Sequence, residues 1–294
     1  MKKKLAVLLS AAMLLAGCGS SDSSEETKKE KSTSETEVQE EKAELSAGYY
    51  RIKRDTALYD TSGSAVPSGE ERILYGTPDQ NGGLTVKIPD PNGFNDLGEA
   101  QYVYHDYTIN DADALTAVSP DEARQAVVDY AVMMSEKPTQ TYELSGEFVG
   151  ENETRSDCSG MTELAYLQIG IYLEHYADSQ ANDPACDMVF DNIEFIGEVS
   201  GIETYRVKDV NARVDISSLE KGDLLFFICA TNSSGDNDLY AEDGIGHVAM
   251  YIGDGRMVHF TADYGLTNNP CRTEDLEEYQ SRVLTVVRAV RYIK

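Results

Sequence analysis

The stretch Asp157-Cys158-Ser159-Gly160 opens the run Met161-Thr162-Glu163-Leu164-Ala165-Tyr166-Leu167-Gln168-Ile169, and Gly246-His247-Val248-Ala249-Met250-Tyr251-Ile252-Gly253 follows it downstream. Thr154, Ser156 and Asp157 supply capping side chains. Met161, Leu164, Ala165, Gln168 and Ile169 recur on one mostly apolar helical face. Cys158 therefore falls in a first helical turn, where unpaired N–H groups and the helix dipole favour an anion. That setting is expected to lower the thiol from its usual value of about 8.5. The same N–H groups suit a tetrahedral oxyanion, and Gly160 leaves room for a substrate backbone. His247 starts one strand, and Arg256-Met257-Val258-His259-Phe260 is the next. A thiol with two imidazoles makes a cysteine hydrolase: Cys158 the nucleophile, His247 the base and acid, His259 the orienting group.

Register tests this assignment. A regular two-residue turn at Asp254-Gly255 pairs Gly253 with Arg256 and puts His259 on the opposite face from His247. An odd-length loop pairs His259 with Ala249, on the His247 face. The triad therefore requires an odd loop or a bulge. Two other readings use the same residues. Cys158, His247 and His259 as metal ligands fit no common zinc spacing, and packing without catalysis asks nothing of their order.

Upstream, Ser119-Pro120-Asp121-Glu122 is a capping box with proline in the first turn. Ala123, Ala126, Val127, Tyr130, Ala131 and Met134 follow at helical spacing, and Pro138 ends the run. Leu219-Glu220-Lys221-Gly222-Asp223 turns into a buried strand at Leu224-Leu225-Phe226-Phe227-Ile228.

Taken in order, Asp157 to Gly160, Lys221 to Phe227, and Gly246 to Gly253 with His259 resemble the NlpC-type cysteine endopeptidases of bacterial cell walls. The likeness covers roughly residues 120 to 294, within a domain taken as 115–294. It implies an α+β papain-like domain, with the Cys helix packed on an antiparallel sheet. It implies hydrolysis of peptidoglycan stem peptides, often between D-glutamate and a diamino acid, without metal or organic cofactor. It also implies that Tyr142, Asp157 and Ser159 contact the amino end of the stem peptide. Packing and helix capping are the alternative uses of those three. The approach Tyr142-Glu143-Leu144-Ser145-Gly146-Glu147 matches the family imperfectly. Insertions occupy 176–212 and 230–246, the second bearing Asp236, Asp238, Glu242 and Asp243. Those carboxylates either recruit an amine-bearing peptide or simply solvate a loop.

The amino-terminal third reads differently. Met1-Lys2-Lys3-Lys4 and the apolar Leu5 to Leu15 form a secretory signal, too short to span a bilayer stably. Leu15-Ala16-Gly17-Cys18 resembles a lipobox, which implies acylation of Cys18 and a lipid-anchored, extracytoplasmic protein. Residues 19–46 are mostly Ser, Glu, Lys and Thr, a flexible tether. Over 47–112, short strands at Tyr49–Ile52, Ala57–Tyr59, Leu84–Ile88 and Gln101–Tyr104 alternate with Gly, Pro and Asn turns. Ala57-Leu58-Tyr59-Asp60, Tyr75-Gly76-Thr77 and Tyr102-Val103-Tyr104 resemble bacterial SH3-like domains, which implies a small all-β barrel that binds wall peptide or serves as a spacer. The net charge of -27 argues against nucleic acid as a partner. Of five cysteines, Cys229 reads as a buried hydrophobe, while Cys186 and Cys271 could pair. A silent wall-binding lipoprotein, an amidase and a transpeptidase are the competing functions.

Overall fold

The computed structural model describes residues 45–94, 100–144, 147–199, 202–228, 240–241, 245–262, 269–282 and 286–294. The segment expected to be a secretory signal, Cys18, most of the expected tether, Ser145, Gly146, Cys229 and the four loop carboxylates lie outside the described residues. No helix among the described residues is long and apolar enough to cross a membrane. The architecture is mixed and mostly strands, and residues 44–294 form one compact unit.

Seven strands come first: β1 (Gly48–Ile52), β2 (Ala57–Tyr59), β3 (Ala65–Pro67), β4 (Arg72–Pro78), β5 (Leu84–Phe94), β6 (Ala100–Ile109) and β7 (Leu115–Val118). They form one sheet in the order β3-β2-β6-β5-β4-β1-β7. Ile52, Leu58, Leu74, Leu84, Val86 and Ile109 fill its core. Four of these strands contain the four segments expected from the turn pattern, although β5 and β6 run much further than their apolar cores.

Helix α1 (Pro120–Ser135) starts as its sequence requires. The Ser119 hydroxyl accepts from the Glu122 N–H, and Glu122 accepts in return from the Ser119 N–H. Ala123, Val127, Ala131 and Met134 are fully buried. A small sheet follows, β8 (Thr139–Tyr142), β9 (Glu147–Val149) and β10 (Glu153–Ser156), in the order β8-β10-β9. It delivers the chain to α2 (Cys158–Leu167), which is buried on every side. A helix buried all round must satisfy its polar side chains internally. Short α3 (Ala177–Ala181) does this: Gln180 accepts from the Thr162 hydroxyl and donates to the Ser159 carbonyl.

Beyond α3 lie β11 (Asp187–Asp191), β12 (Ile193–Val199), β13 (Ile202–Val207), β14 (Leu224–Ile228), β15 (Tyr240–Ala241), β16 (Ile245–Gly253), β17 (Arg256–Phe260), β18 (Cys271–Asp275), α4 (Leu276–Arg282) and β19 (Val286–Arg291). The central sheet runs β11-β19-β14-β16-β17-β18, antiparallel throughout. The insertion at 176–212 supplies α3, β11, and the β12-β13 hairpin that β15 joins. Every residue of β14 is buried, as its unbroken apolar run requires. Helix α2 packs across β16 and β17, inside one core shared with α1.

The strand-rich amino-terminal sheet is joined to the end of α2. The Tyr75 N–H donates to the Ile169 carbonyl at 3.0 Å. Gly170 takes a positive φ of 74°, and a Cβ there would stand 2.8 Å from the Lys87 carbonyl oxygen. Only glycine permits that approach without strain. Cys186 and Cys271 do not pair: both are free thiols, and the Cys186 sulfur donates instead to the Asp183 carbonyl.

Candidate active site

Cys158 is the first residue of α2. Asp157 caps the helix, its Oδ1 accepting from the Gly160 N–H at 2.8 Å and from the Ser159 hydroxyl at 3.2 Å. Asp157 and Ser159 therefore meet each other beside the thiol. Their capping use is realised, and the second carboxylate oxygen of Asp157 faces His175 Nε2 at 3.9 Å. Tyr142 ends β8 in register with Ser156, two residues before Cys158, and its ring lies 6.2 Å from that of Phe260.

The two histidines arrive from β16 and β17. The hairpin uses a two-residue turn in which Asp254 and Gly255 both have positive φ, 53° and 71°, the mirror-image turn that suits strand twist. That turn alone would carry His259 to the wrong face. A bulge corrects it: Gly253 pairs with Arg256 and Tyr251 with Met257, so Ile252 has no opposite residue. Met250 then pairs with Val258, and His259 shares the His247 face. His247 Nε2 lies 2.9 Å from His259 Nδ1. The thiol of Cys158 takes a backbone N–H contact from Val248, the next residue along from His247. His247 and His259 thus meet, and the thiol lies against the backbone of the residue that follows His247.

Aromatic rings clamp the pair. Phe227 lies 5.6 Å from His247, Tyr279 of α4 lies 5.1 Å from His259 at right angles, and Phe227 meets Tyr279 at 5.4 Å. Neither ring was a sequence candidate. Phe227 is visible in retrospect, because it pairs directly with His247 across β14 and β16. Tyr279 carries no local signal.

Burial overturns the electrostatic expectation. Desolvation pushes the Cys158 thiol up to about 12, with Asp157 adding to the shift. The N–H groups of Val248, Ser159 and Cys158 pull it back only in part. Desolvation also lowers His247 to about 4, helped by Arg272, and holds His259 well below its ordinary value. Burial thus favours the neutral thiol and the neutral imidazoles, because desolvation penalises each charge more than the N–H groups at the helix start offset.

A pH profile follows from this. The base is competent when neutral, so the acid limb of kcat/KM should fall near pH 4 rather than near 6.5. The unfolded chain binds more protons than the folded one between those values, so stability also declines as pH falls through that window. Rates measured from pH 3 to 8 check this. An acid limb near 6.5 would mean that His247 is hydrated in the working enzyme.

A second cluster adjoins Asp157. His175 Nδ1 lies 2.7 Å from Glu147 Oε1 and 3.4 Å from Glu163 Oε2. Burial raises Glu163 to about 8, and hydrogen bonds to Glu147 and Glu163 raise His175 to about 10. This is the grouping among the described residues whose ligand atoms, all within 4.8 Å of one another, could hold a metal ion. Its three members come from β9, α2 and the loop before α3, so spacing gave no sign of it. A cavity of about 710 Å³ bounded by Tyr49, Tyr75, Ile171 and Tyr292 touches none of Cys158, His247 and His259.

Residues 145–288 match the NlpC/P60 family. NlpC1 from Trichomonas vaginalis is similar at 15% identity over 85% of this chain and 94% of that one, with a TM-score of 0.38. An NlpC/P60 family protein from Bacillus cereus ATCC 10987 is 18% identical over 85% of this chain and 65% of its own, TM-score 0.35. The peptidoglycan hydrolase RipB from Mycobacterium tuberculosis is 16% identical over 60% of this chain and 69% of its own, TM-score 0.35. No curated protein matches the chain.

Proposed function

We propose that this chain is a cell-wall hydrolase, a cysteine peptidase that cuts peptidoglycan stem peptides between D-glutamate and the diamino acid. What supports the reading is a thiol at a buried helix N-terminus, held against the Val248 backbone, with a histidine pair in 2.9 Å contact beginning at the adjoining residue. The family match over 145–288 supports it. In this reading Cys158 Sγ attacks the scissile carbonyl while its proton passes to His247 Nδ1, the ring nitrogen not engaged by His259. The N–H groups at the start of α2 receive the developing oxyanion. His247 then returns the proton to the leaving amine, and water hydrolyses the thioester by the reverse path. Proton transfer accompanies attack, which suits a pair that rests neutral.

Asp157 and Ser159, already hydrogen-bonded to each other, would turn to the free amine of the stem peptide, with Tyr142 alongside. The strands over 47–112 would act as an SH3-like module beside the cleft. Acylation at Cys18 would hold the enzyme outside the cell on its membrane, through the tether at 19–46.

The test is to incubate residues 44–294 with defined peptidoglycan fragments and to identify the products by mass spectrometry. New ends at D-glutamate and the diamino acid are expected. Products cut at a sugar-proximal amide would make the chain an amidase, and amine-joined products a transpeptidase. Wall binding without cleavage would leave only the silent binding protein.

A further inference from the structure

The histidine pair is not the end of the chain of contacts. His259 faces Arg272 directly across β17 and β18, and Glu274 stands two residues along the same face of β18. Glu274 Oε2 lies 3.6 Å from His259 Nε2, and Glu274 Oε1 accepts from Arg272 Nε at 2.8 Å. His259 is fully buried, and its Nε2 has no hydrogen-bond partner among the described residues.

The 2.9 Å contact between His247 Nε2 and His259 Nδ1 admits one proton, and its owner decides the chemistry. If His259 donates from Nδ1, neutral His247 must carry its own proton on Nδ1. That nitrogen then cannot accept from the thiol. If His247 donates from Nε2, its Nδ1 is a free base and His259 carries its proton on Nε2. Only the second arrangement works, and geometry alone does not select it, since the two have the same heavy-atom positions.

We propose that Glu274 is a positioning residue that selects the working tautomers of both histidines by drawing the His259 proton to Nε2. A carboxylate beside that buried nitrogen favours an N–H there and disfavours a lone pair. Arg272 anchors the carboxylate from its other oxygen, so its charge stays aimed at the ring. When the Cys158 proton reaches His247 Nδ1, the new imidazolium keeps its Nε2–H on His259, and the Glu274 charge favours that cation through one intervening ring. No proton needs to leave His259 at any step. The arrangement follows the logic by which an acidic residue holds the base of a Ser-His-Asp triad in one tautomer, with an imidazole interposed.

The inference takes its catalytic meaning from the cysteine-peptidase reading above, but its first test does not depend on activity. In the full chain labelled with 15N-histidine, long-range 1H–15N correlations should assign His259 as Nε2–H and His247 as Nε2–H. His259 protonated on Nδ1 would overturn the proposal whatever the chain hydrolyses. In Glu274→Gln the amide can turn its NH2 toward His259 Nε2 and favour the other tautomer. The His259 signal should then move to Nδ1–H or to a mixture. On stem-peptide substrate kcat should fall about 10- to 100-fold with KM little changed, less than the roughly 10⁴-fold seen when the acidic residue touches the base itself. Unaltered tautomers and unaltered kcat in a folded Glu274→Gln chain would also overturn it. Should that variant fail to fold, the wild-type spectrum alone decides. Absence of any hydrolysis by the wild-type chain would refute the peptidase reading and leave the tautomer result standing.

Discussion

Replacing Cys158 with alanine is expected to abolish stem-peptide cleavage while the chain stays folded. Removing the nucleophile from a comparable covalent machine costs on the order of 10⁶ in kcat, because the remaining groups have nothing to activate. Any residual rate would come from binding and the oxyanion site alone. The fold should survive because the change removes one sulfur atom from a thiol that makes little contact with water. The Asp157 cap on the Gly160 N–H remains in place. Cys158→Ser should be nearly as inactive, since the hydroxyl is still harder to deprotonate than a buried thiol. Product analysis by mass spectrometry, with circular dichroism to check folding, measures both. Cleavage that survives in Cys158→Ala would move the nucleophile elsewhere and remove the central claim.

Asp223→Ala should produce a large loss of stability from a change outside the site. Asp223 is 1% exposed at the entry to β14. Its two oxygens accept from Arg291 Nε at 2.8 Å and from its terminal nitrogen at 2.7 Å, and Oδ2 also accepts from the Glu220 N–H. Breaking a buried pair by deleting one partner costs about 3–5 kcal/mol, since it strands the other charge. Arg291 keeps Glu220 at 2.9 Å, so about 3 kcal/mol is expected. At 2–4 °C per kcal/mol for a chain of this size, Tm should fall by roughly 6–12 °C. Asp223→Asn should lose less, because an amide oxygen can still accept from Glu220. A melting point within about 2 °C of the parent would show that backbone bonds alone fix this corner. Those bonds run from the Gly222 N–H to the Tyr251 carbonyl and from the Tyr251 N–H to the Asp223 carbonyl. The corner matters to the site because β14 carries Phe227 against His247.

Much of the site was legible before any coordinates. The Asp157 cap, the helix from Cys158 and the strands bearing His247 and His259 each have a local cause: a capping side chain, helical periodicity, an apolar run. The hairpin is an intermediate case. Facing of the two histidines required a bulge or an odd loop, and sequence reached that condition without choosing between them. The choice belongs to the backbone at Ile252, which the Asp254-Gly255 turn and the register with Met257 force out of pairing. The thiol was misjudged for a different reason. Its position at a helix N-terminus is local, but its burial comes from a core built by elements far along the chain, and that burial raises it by more than the N–H groups lower it.

By itself, then, the sequence determined which chemistry-bearing residues begin which elements, because capping, periodicity and turn propensity act over a few residues. Tertiary structure alone decided what surrounds them. It brought Tyr279 from α4 and Glu274 from β18 against His259, and it assembled Glu147, Glu163 and His175 from three separate elements. It also sealed the thiol and the imidazoles from water. Those outcomes depend on contacts between elements far apart in the chain, and burial, which sets the charge of every group in the site, is a property of the packed molecule.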